Sequence, residues 1–307
     1  MNKIVTFSQA VNDRKLPELR SNDKANAPEL YKPSPQLWQA VTVALELGLP
    51  LLLTGEPGTG KTDLANYIAW YFNLGEPLVF DAQTTSSARD LFYRYDALAH
   101  FQYAQTSKEA LSPDEVERKF IEPVALGRAI KDGERRVVLL DEIDKAPRDL
   151  PNNVLAALED LRFTVAETGK KYQTEPRNRP IIIMTSNSEK NLPDPFLRRV
   201  AYYHISMEEI DLLGILTSKV DGLSNTDCEA VIAHYNRIRN NRKMQKKPAT
   251  AELIHWASLL QKMNFPTHKL NDLDSLADAE KEHLITSYSV LAKTREDLAA
   301  LKKSPAE

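Results

Sequence analysis

Apolar residues recur along this chain in short unbroken runs. Longer stretches, in which they return every three or four positions, separate the runs. Leu51–Leu53, Pro77–Phe80, Arg136–Leu140 and Pro180–Met184 are the runs. Each has the length of a strand buried on both faces of a sheet. Between them the spacing predicts helices. Ser34-Pro35 opens the first, because serine can cap and proline suits the first helical position. Leu37, Val41, Ala44 and Leu45 then share one face until Gly48 and Pro50 stop the helix. Further helices are predicted over 61–73 and 149–161, and residues 84–133 read as mostly helical with one polar joint at 106–113. Phe163–Val165 opens a hairpin. Strands alternating with helices predict an α/β fold: a parallel sheet with helices on both faces and a site at the carboxyl ends of the strands. From about Ser206 the strand-like runs stop. Helices are predicted over 207–219, 226–242, 249–263 and 281–302, giving a smaller all-α domain. The chain thus divides into a polar arm at 1–33, an α/β domain at 34–205 and a helical domain at 206–307.

The first apolar run meets a loop of the form G-x-x-x-x-G-K-[ST], with Gly55, Gly60, Lys61 and Thr62 on the fixed positions. This is a phosphate-binding loop. Glycines let the backbone curl so that several N–H groups aim at one anion, and the following helix adds its positive end. ATP is expected on Gly55, Pro57, Gly58, Thr59, Gly60, Lys61, Thr62 and Asp63. Lys61 suits the β- and γ-phosphates, and the Thr62 hydroxyl suits Mg2+. The run Val137–Leu140 then delivers Asp141 and Glu142 into solvent at its end. Asp141 is expected to hold the metal through water, and Glu142 to polarise the attacking water.

With these motifs the chain resembles the AAA+ ATPases over about residues 34–300. The resemblance implies a P-loop AAA+ nucleotide domain followed by a helical lid, with ATP between them. It implies that Asn187, just after Thr185-Ser186, is the polar sensor that orients the water. In Leu192–Val200 it implies an arginine that reaches the γ-phosphate of a neighbouring subunit; by spacing Arg199 matches best and Arg198 next. Within the AAA+ proteins, the segments Thr85–Arg94, Asp141–Pro147, Phe163–Gly169 and Phe196–His204 look like the MoxR group. That group implies an insertion, here within 84–133, and a hairpin, here about 162–179, that meet clients. Phe92, Tyr93, Tyr95, Phe101 and Tyr103 lie in the insertion, and for most of them core packing is the first reading. Many AAA+ proteins also carry a second sensor arginine early in a lid helix. The matching stretch Lys247–Leu253, with Ala251 about the expected position, contains none.

Composition narrows the function class. Apolar content of 42% and charged content of 27% are ordinary for a soluble globular protein. A net charge of -3 gives no global attraction to nucleic acid or anionic membrane. Basic residues do gather at Arg237, Arg239, Arg242, Lys243, Lys246 and Lys247. Little aromatic interleaving accompanies them, so the cluster reads first as the basic end of a helix. The single Cys228 excludes an internal disulfide and suits the cytoplasm. The six histidines show no metal-ligand pairing. Met1–Leu19 lacks a signal-peptide core, and the longest apolar stretch, Ala40–Leu53, is broken by Glu46 and Pro50. No membrane association is expected. The resemblance implies a homo-oligomeric ring, with a hexamer as the expected number. It also implies a protein client or adaptor, one carrying a von Willebrand factor A domain being the MoxR expectation. The expected function is ATP-driven, chaperone-like remodelling. A nucleic-acid motor or loader, and a nucleotide-switched scaffold in an antiviral or stress complex, remain as alternatives.

Overall fold

The computed structural model describes residues 27–107, 109–147, 150–187 and 192–303. The chain forms two compact units. One spans residues 33–209, and the other comprises residues 27–32 and 210–303; the rest of the polar arm expected over 1–33 lies outside the described residues.

In the first unit, α1 (Pro35–Leu47) starts at Ser34, whose hydroxyl accepts the Leu37 N–H at 3.1 Å, and ends at Gly48 in the left-handed conformation. β1 (Leu51–Gly55) runs through the phosphate loop into α2 (Lys61–Tyr71) and on to β2 (Leu78–Asp81). A segment of β3 (Tyr93–Tyr95), α3 (Ala97–Thr106), α4 (Pro113–Phe120), β4 (Ile121–Pro123) and α5 (Ala125–Asp132) follows. Next come β5 (Val137–Asp141), α6 (Leu150–Asp160), the hairpin β6 (Arg162–Thr164) and β7 (Lys171–Gln173), β8 (Ile181–Ser186), α7 (Asp194–Leu197) and β9 (Ala201–Ile205).

Five strands pair in the order β2-β5-β8-β1-β9, all parallel. The central strands β1, β5 and β8 are buried almost throughout, whereas the edge strands β2 and β9 alternate. Leu52, Val138, Leu140, Ile182 and Met184 feed one apolar cluster with α5 and α6. By strand alternation Leu51, Leu53, Leu139 and Ile183 face the other way and are equally buried. There α1 brings Val41, Ala44 and Leu45 to the same small cavity as Leu51, Ile181 and Ile183. Helices therefore cover both faces, as the unbroken apolar runs require.

Two sequence expectations need correction, and one strand went unpredicted. Residues 84–133 are less helical than expected, because β3 and β4 pair antiparallel, with Tyr93 opposite Pro123 and Tyr95 opposite Ile121. The alternating Tyr-Arg-Tyr triplet was the strand signal. α5 then lies so close that a Cβ on Gly127 would stand 1.8 Å from the Phe92 carbonyl oxygen. Of the aromatics in this segment, Tyr93 is 3% exposed and Phe92, Tyr95 and Tyr103 pack against the core, while Phe101 is 61% exposed. Second, β9 pairs with β1 at the sheet edge, a strand not predicted above; its residues alternate between exposed and partly buried until Ile205. Third, the helix expected over 281–302 is two helices, α11 (Asp278–Ser287) and α12 (Arg295–Lys303). Thr294 restarts the helix by accepting the Asp297 N–H at 3.0 Å. This delivers the fully buried Asp297 carboxylate to the backbone N–H groups of Gln245 and Lys246.

The insertion and the hairpin are bound together by charge. Glu117 of α4, 7% exposed in its side chain, takes Lys131 of α5 at 2.7 Å, Lys170 at 3.1 Å and the Tyr172 hydroxyl of β7. Burial pushes the Glu117 carboxyl up, but the bonds from Lys131, Tyr172 and Lys170 outweigh it and hold it down at about 2. A depressed carboxyl stabilises the fold above its unfolded pKa, and that contribution is lost as pH falls through the folded value. Glu117→Gln is therefore expected to cost ~3 kcal/mol at neutral pH, as for a broken buried ion pair. The gap to wild type should close between the ordinary carboxylate range and about pH 2. Denaturant unfolding at several pH values checks this, and a gap independent of pH would refute it.

The second unit holds α8 (Leu212–Lys219), α9 (Asn225–Asn240), α10 (Thr250–Lys262), α11 and α12 around Tyr235, Trp256 and Tyr288. Among its basic residues, Arg239 is 8% exposed and donates to the Pro248 carbonyl at 2.6 Å, and Arg237 donates to the Leu270 carbonyl. Two of the six cluster residues are thus used within the fold. Cys228 is buried. Ala251 lies exposed in the first turn of α10. Among the described residues no helix is long and apolar enough to cross a membrane.

Candidate nucleotide site

The in-register parallel pairing brings the carboxyl ends of three strands to one edge. Leu53 of β1 lies beside Thr185 of β8, and Leu140 of β5 beside Met184. The next residues of these strands are the ones with chemistry. Gly55 leaves β1 with φ 149°, and a Cβ there would stand 2.6 Å from the Ile205 carbonyl oxygen of β9. Only glycine fits this close approach. Thr59 is 5% exposed and braces the loop by donating to the Glu56 carbonyl at 2.9 Å. Gly60, at φ 82°, turns the chain into α2. Pro57 and Gly58 at the loop tip are exposed, as are Thr62 and Asp63 in the first turn of α2.

Lys61 is 8% exposed and donates to the carbonyls of Gly55 at 2.7 Å and Glu56 at 3.0 Å. Burial lowers its pKa, and the charges of Asp141, Asp144 and Glu142 oppose that shift. Thr62 donates to the Asp141 carboxylate at 3.2 Å. Asn187 Nδ2 donates to Glu142 Oε1 at 3.2 Å, and the Asn187 N–H donates to Asp144 at 3.3 Å. The structure thus brings together the loop, the Asp141-Glu142 pair and Asn187. It does not bring Arg198 or Arg199 to them within this chain: both are exposed, and Arg199 pairs with Glu159 at 3.6 Å.

The residues fit a magnesium-bound nucleotide. A curled, glycine-dependent loop at a helix start suits phosphate, and a hydroxyl beside a carboxylate suits a hard cation. Among the described residues no group of three or more His, Cys, Asp and Glu side chains could hold a metal. An ion on Thr62 and Asp141 would therefore complete its shell with phosphate oxygens and water, the usual habit of magnesium.

Three residues at the site went unassigned in the sequence. Lys145 forms an ion pair with Glu142, which holds its ammonium above its usual range. Asp144 accepts from Asn187. Thr185 bonds to both Asp141 and the Glu142 backbone. Thr185 lies at the end of an otherwise apolar strand, whereas Asp144 and Lys145 lie in the 3-10 turn that follows β5, and none of the three has a partner that is legible along the chain.

Residues 50–200 match the family model of the AAA domain (dynein-related subfamily). The chain is 29% identical over 149 residues to a chloroplastic ClpA homolog, the ATP-binding subunit of an ATP-dependent Clp protease, from Brassica napus; the match covers 48% of this chain and 15% of that protein. It is 32% identical over 136 residues to the probable chaperone protein ClpB 1 of Chlorobaculum tepidum, covering 44% of this chain and 27% of that protein. This chain thus spans less than a third of the length of those two relatives. The crystal structure of NtrX from Brucella abortus in complex with ADP is similar at a TM-score of 0.46 and 15% identity, over 93% of this chain and 71% of that one. The family match falls on the segment that carries four of the five sheet strands, the phosphate loop and the strand-end acids, and this segment is similar to the AAA domain (dynein-related subfamily).

Proposed function

We propose that this chain hydrolyses ATP as part of a MoxR-like ring, a hexamer by family resemblance, and uses hydrolysis to remodel a protein client. The observation that carries the reading is the convergence of Lys61, Thr62, Asp141, Glu142 and Asn187 on one edge of the sheet. Bound magnesium would neutralise charge on the phosphates. Lys61 exchanges its two loop carbonyls for β- and γ-phosphate oxygens. Thr62 and Asp141 would hold the ion. Glu142 takes the proton of the attacking water, and Asn187 fixes the Glu142 carboxylate from its other oxygen. Glu142 releases Lys145 to do so. Similarity to a Clp protease ATP-binding subunit and to a probable ClpB chaperone, together with the net charge of -3, favours a protein client over nucleic acid. So does the use of Arg237 and Arg239 inside the helical unit. An adaptor with a von Willebrand factor A domain and a cytoplasmic setting belong to this same reading.

Arg199 is the arginine assigned to a neighbour's γ-phosphate, with Arg198 the second choice. A guanidinium suits that role because it is planar, always charged and matches phosphate oxygens in pairs. Its exposed pair with Glu159 is of the kind worth ~0–1 kcal/mol, so little opposes its release. Arg199→Ala is expected to lower the hydrolysis rate by about 10³-fold or more, the worth of such an arginine, while sparing ATP binding. Specific activity should rise with protein concentration. Mixing Arg199→Ala with Lys61→Ala should restore part of the activity, because a mixed interface can pair an intact loop with an intact arginine. Full activity in a dilute monomer would overturn the ring, and loss on Arg198→Ala alone would move the role by one residue.

A further inference from the structure

We propose that Thr185 is the positioning residue for both acids, setting the Asp141 carboxylate for the metal and the Glu142 backbone for catalysis. This rests on the hydrolytic reading above. Thr185 is the penultimate residue of β8 and is 1% exposed. Its Oγ1 accepts the Glu142 N–H at 2.9 Å and donates to Asp141 Oδ1. A hydroxyl has one hydrogen and two lone pairs. The amide can only donate to it, so the hydroxyl hydrogen goes to the carboxylate, and the direction of both bonds is fixed.

The consequence for the two acids follows from the backbone. Glu142 sits at φ 53°, ψ 46°, a left-handed conformation that residues other than glycine adopt rarely. In that turn its N–H points back to β8 instead of continuing a ladder, and its side chain meets Asn187 at 3.2 Å. The Thr185 oxygen is what accepts that N–H. Meanwhile the bond to Oδ1 restrains rotation of the Asp141 carboxylate beside Thr62. One buried hydroxyl thus serves the metal-side acid by donating and the water-side acid by accepting. Valine at 185 would keep the shape and remove both bonds.

The test compares Thr185→Val, Thr185→Ser and Thr185→Cys in the full chain. Two quantities are read: the affinity for a fluorescent ADP analogue with and without Mg2+, and kcat and KM for ATP. For Thr185→Val, affinity without Mg2+ should stay within about threefold of wild type, while the gain on adding Mg2+ falls about tenfold and kcat falls about 10–100-fold, the range for partners that orient metal ligands. Thr185→Ser should stay within about threefold of wild type throughout. Thr185→Cys, with its weak thiol donor, should fall between them, and it carries the test if the valine chain does not fold. A valine or cysteine variant with the wild-type Mg2+ gain and kcat overturns the role of Thr185. So does a serine variant as impaired as valine, since packing of the methyl group would then be the cause. A wild-type chain that binds no nucleotide overturns the hydrolytic reading itself, a distinguishable result.

Discussion

Replacing Glu142 by glutamine is expected to slow ATP hydrolysis by ~10²–10⁴-fold, the contribution of a general base, with nucleotide still bound. The substitution keeps size and shape, and the amide oxygen can still accept from Asn187 Nδ2, which stands 3.2 Å from Oε1. What it removes is the negative charge that draws a proton from water, together with the ion pair to Lys145. The variant should therefore hold ATP and accumulate the ATP-bound assembly. Used as bait, it should retain a protein client that wild type releases. Steady-state turnover and a pull-down in ATP, at low and physiological salt, measure both. Turnover at the wild-type rate would mean that Glu142 is not the base. Capture of nucleic acid with a steep loss on raising salt, the signature of phosphate contacts, would favour a motor or loader over protein remodelling.

Lys61→Ala is expected to weaken ATP by ~2–5 kcal/mol, the cost of truncating one partner of a buried charge pair, or about 30- to 5000-fold in Kd. The size follows from where Lys61 lies. It is 8% exposed, with three carboxylates, Asp141, Asp144 and Glu142, opposing the burial shift and favouring its charged form. Without it, triphosphate would meet those carboxylates with no cation of the loop between them. Titration with a fluorescent ATP analogue checks the affinity, and an unchanged melting transition checks the fold. Affinity within about threefold of wild type would remove the phosphate loop from the site.

The part of the site legible in the sequence is the part built by neighbours along the chain. A curled loop needs its glycines at fixed spacing, so Gly55–Thr62 could be read as a unit. An apolar run long enough for one buried strand and then two acids shows where the acids emerge, so Asp141 and Glu142 could be read too. Asn187 follows the end of another such run, and its role was implied by the resemblance to the AAA+ proteins. Lys145 and Thr185 could not be assigned in this way. Lys145 meets Glu142 only because the left-handed turn at Glu142 leads directly into a tight 3-10 turn at Ile143–Lys145. Thr185 meets Asp141 and the Glu142 N–H only because β5 and β8 are adjacent and in parallel register. Strand order leaves no periodic trace in either strand.

The same division runs through the fold. The sequence by itself determined the α/β class, the buried central strands β1, β5 and β8, the capped start of α1 and the all-helical second unit, because each follows from apolar spacing and a local cap. The tertiary structure alone decided the rest. It paired the short strands β3 and β4, set β9 at the sheet edge, and broke the last long helix at Thr294 so that buried Asp297 could satisfy two backbone amides. It also made Glu117 the tie between insertion and hairpin. Each of these depends on a partner distant in sequence, and hydrogen bonds and ion pairs to such partners are fixed only when the chain has folded.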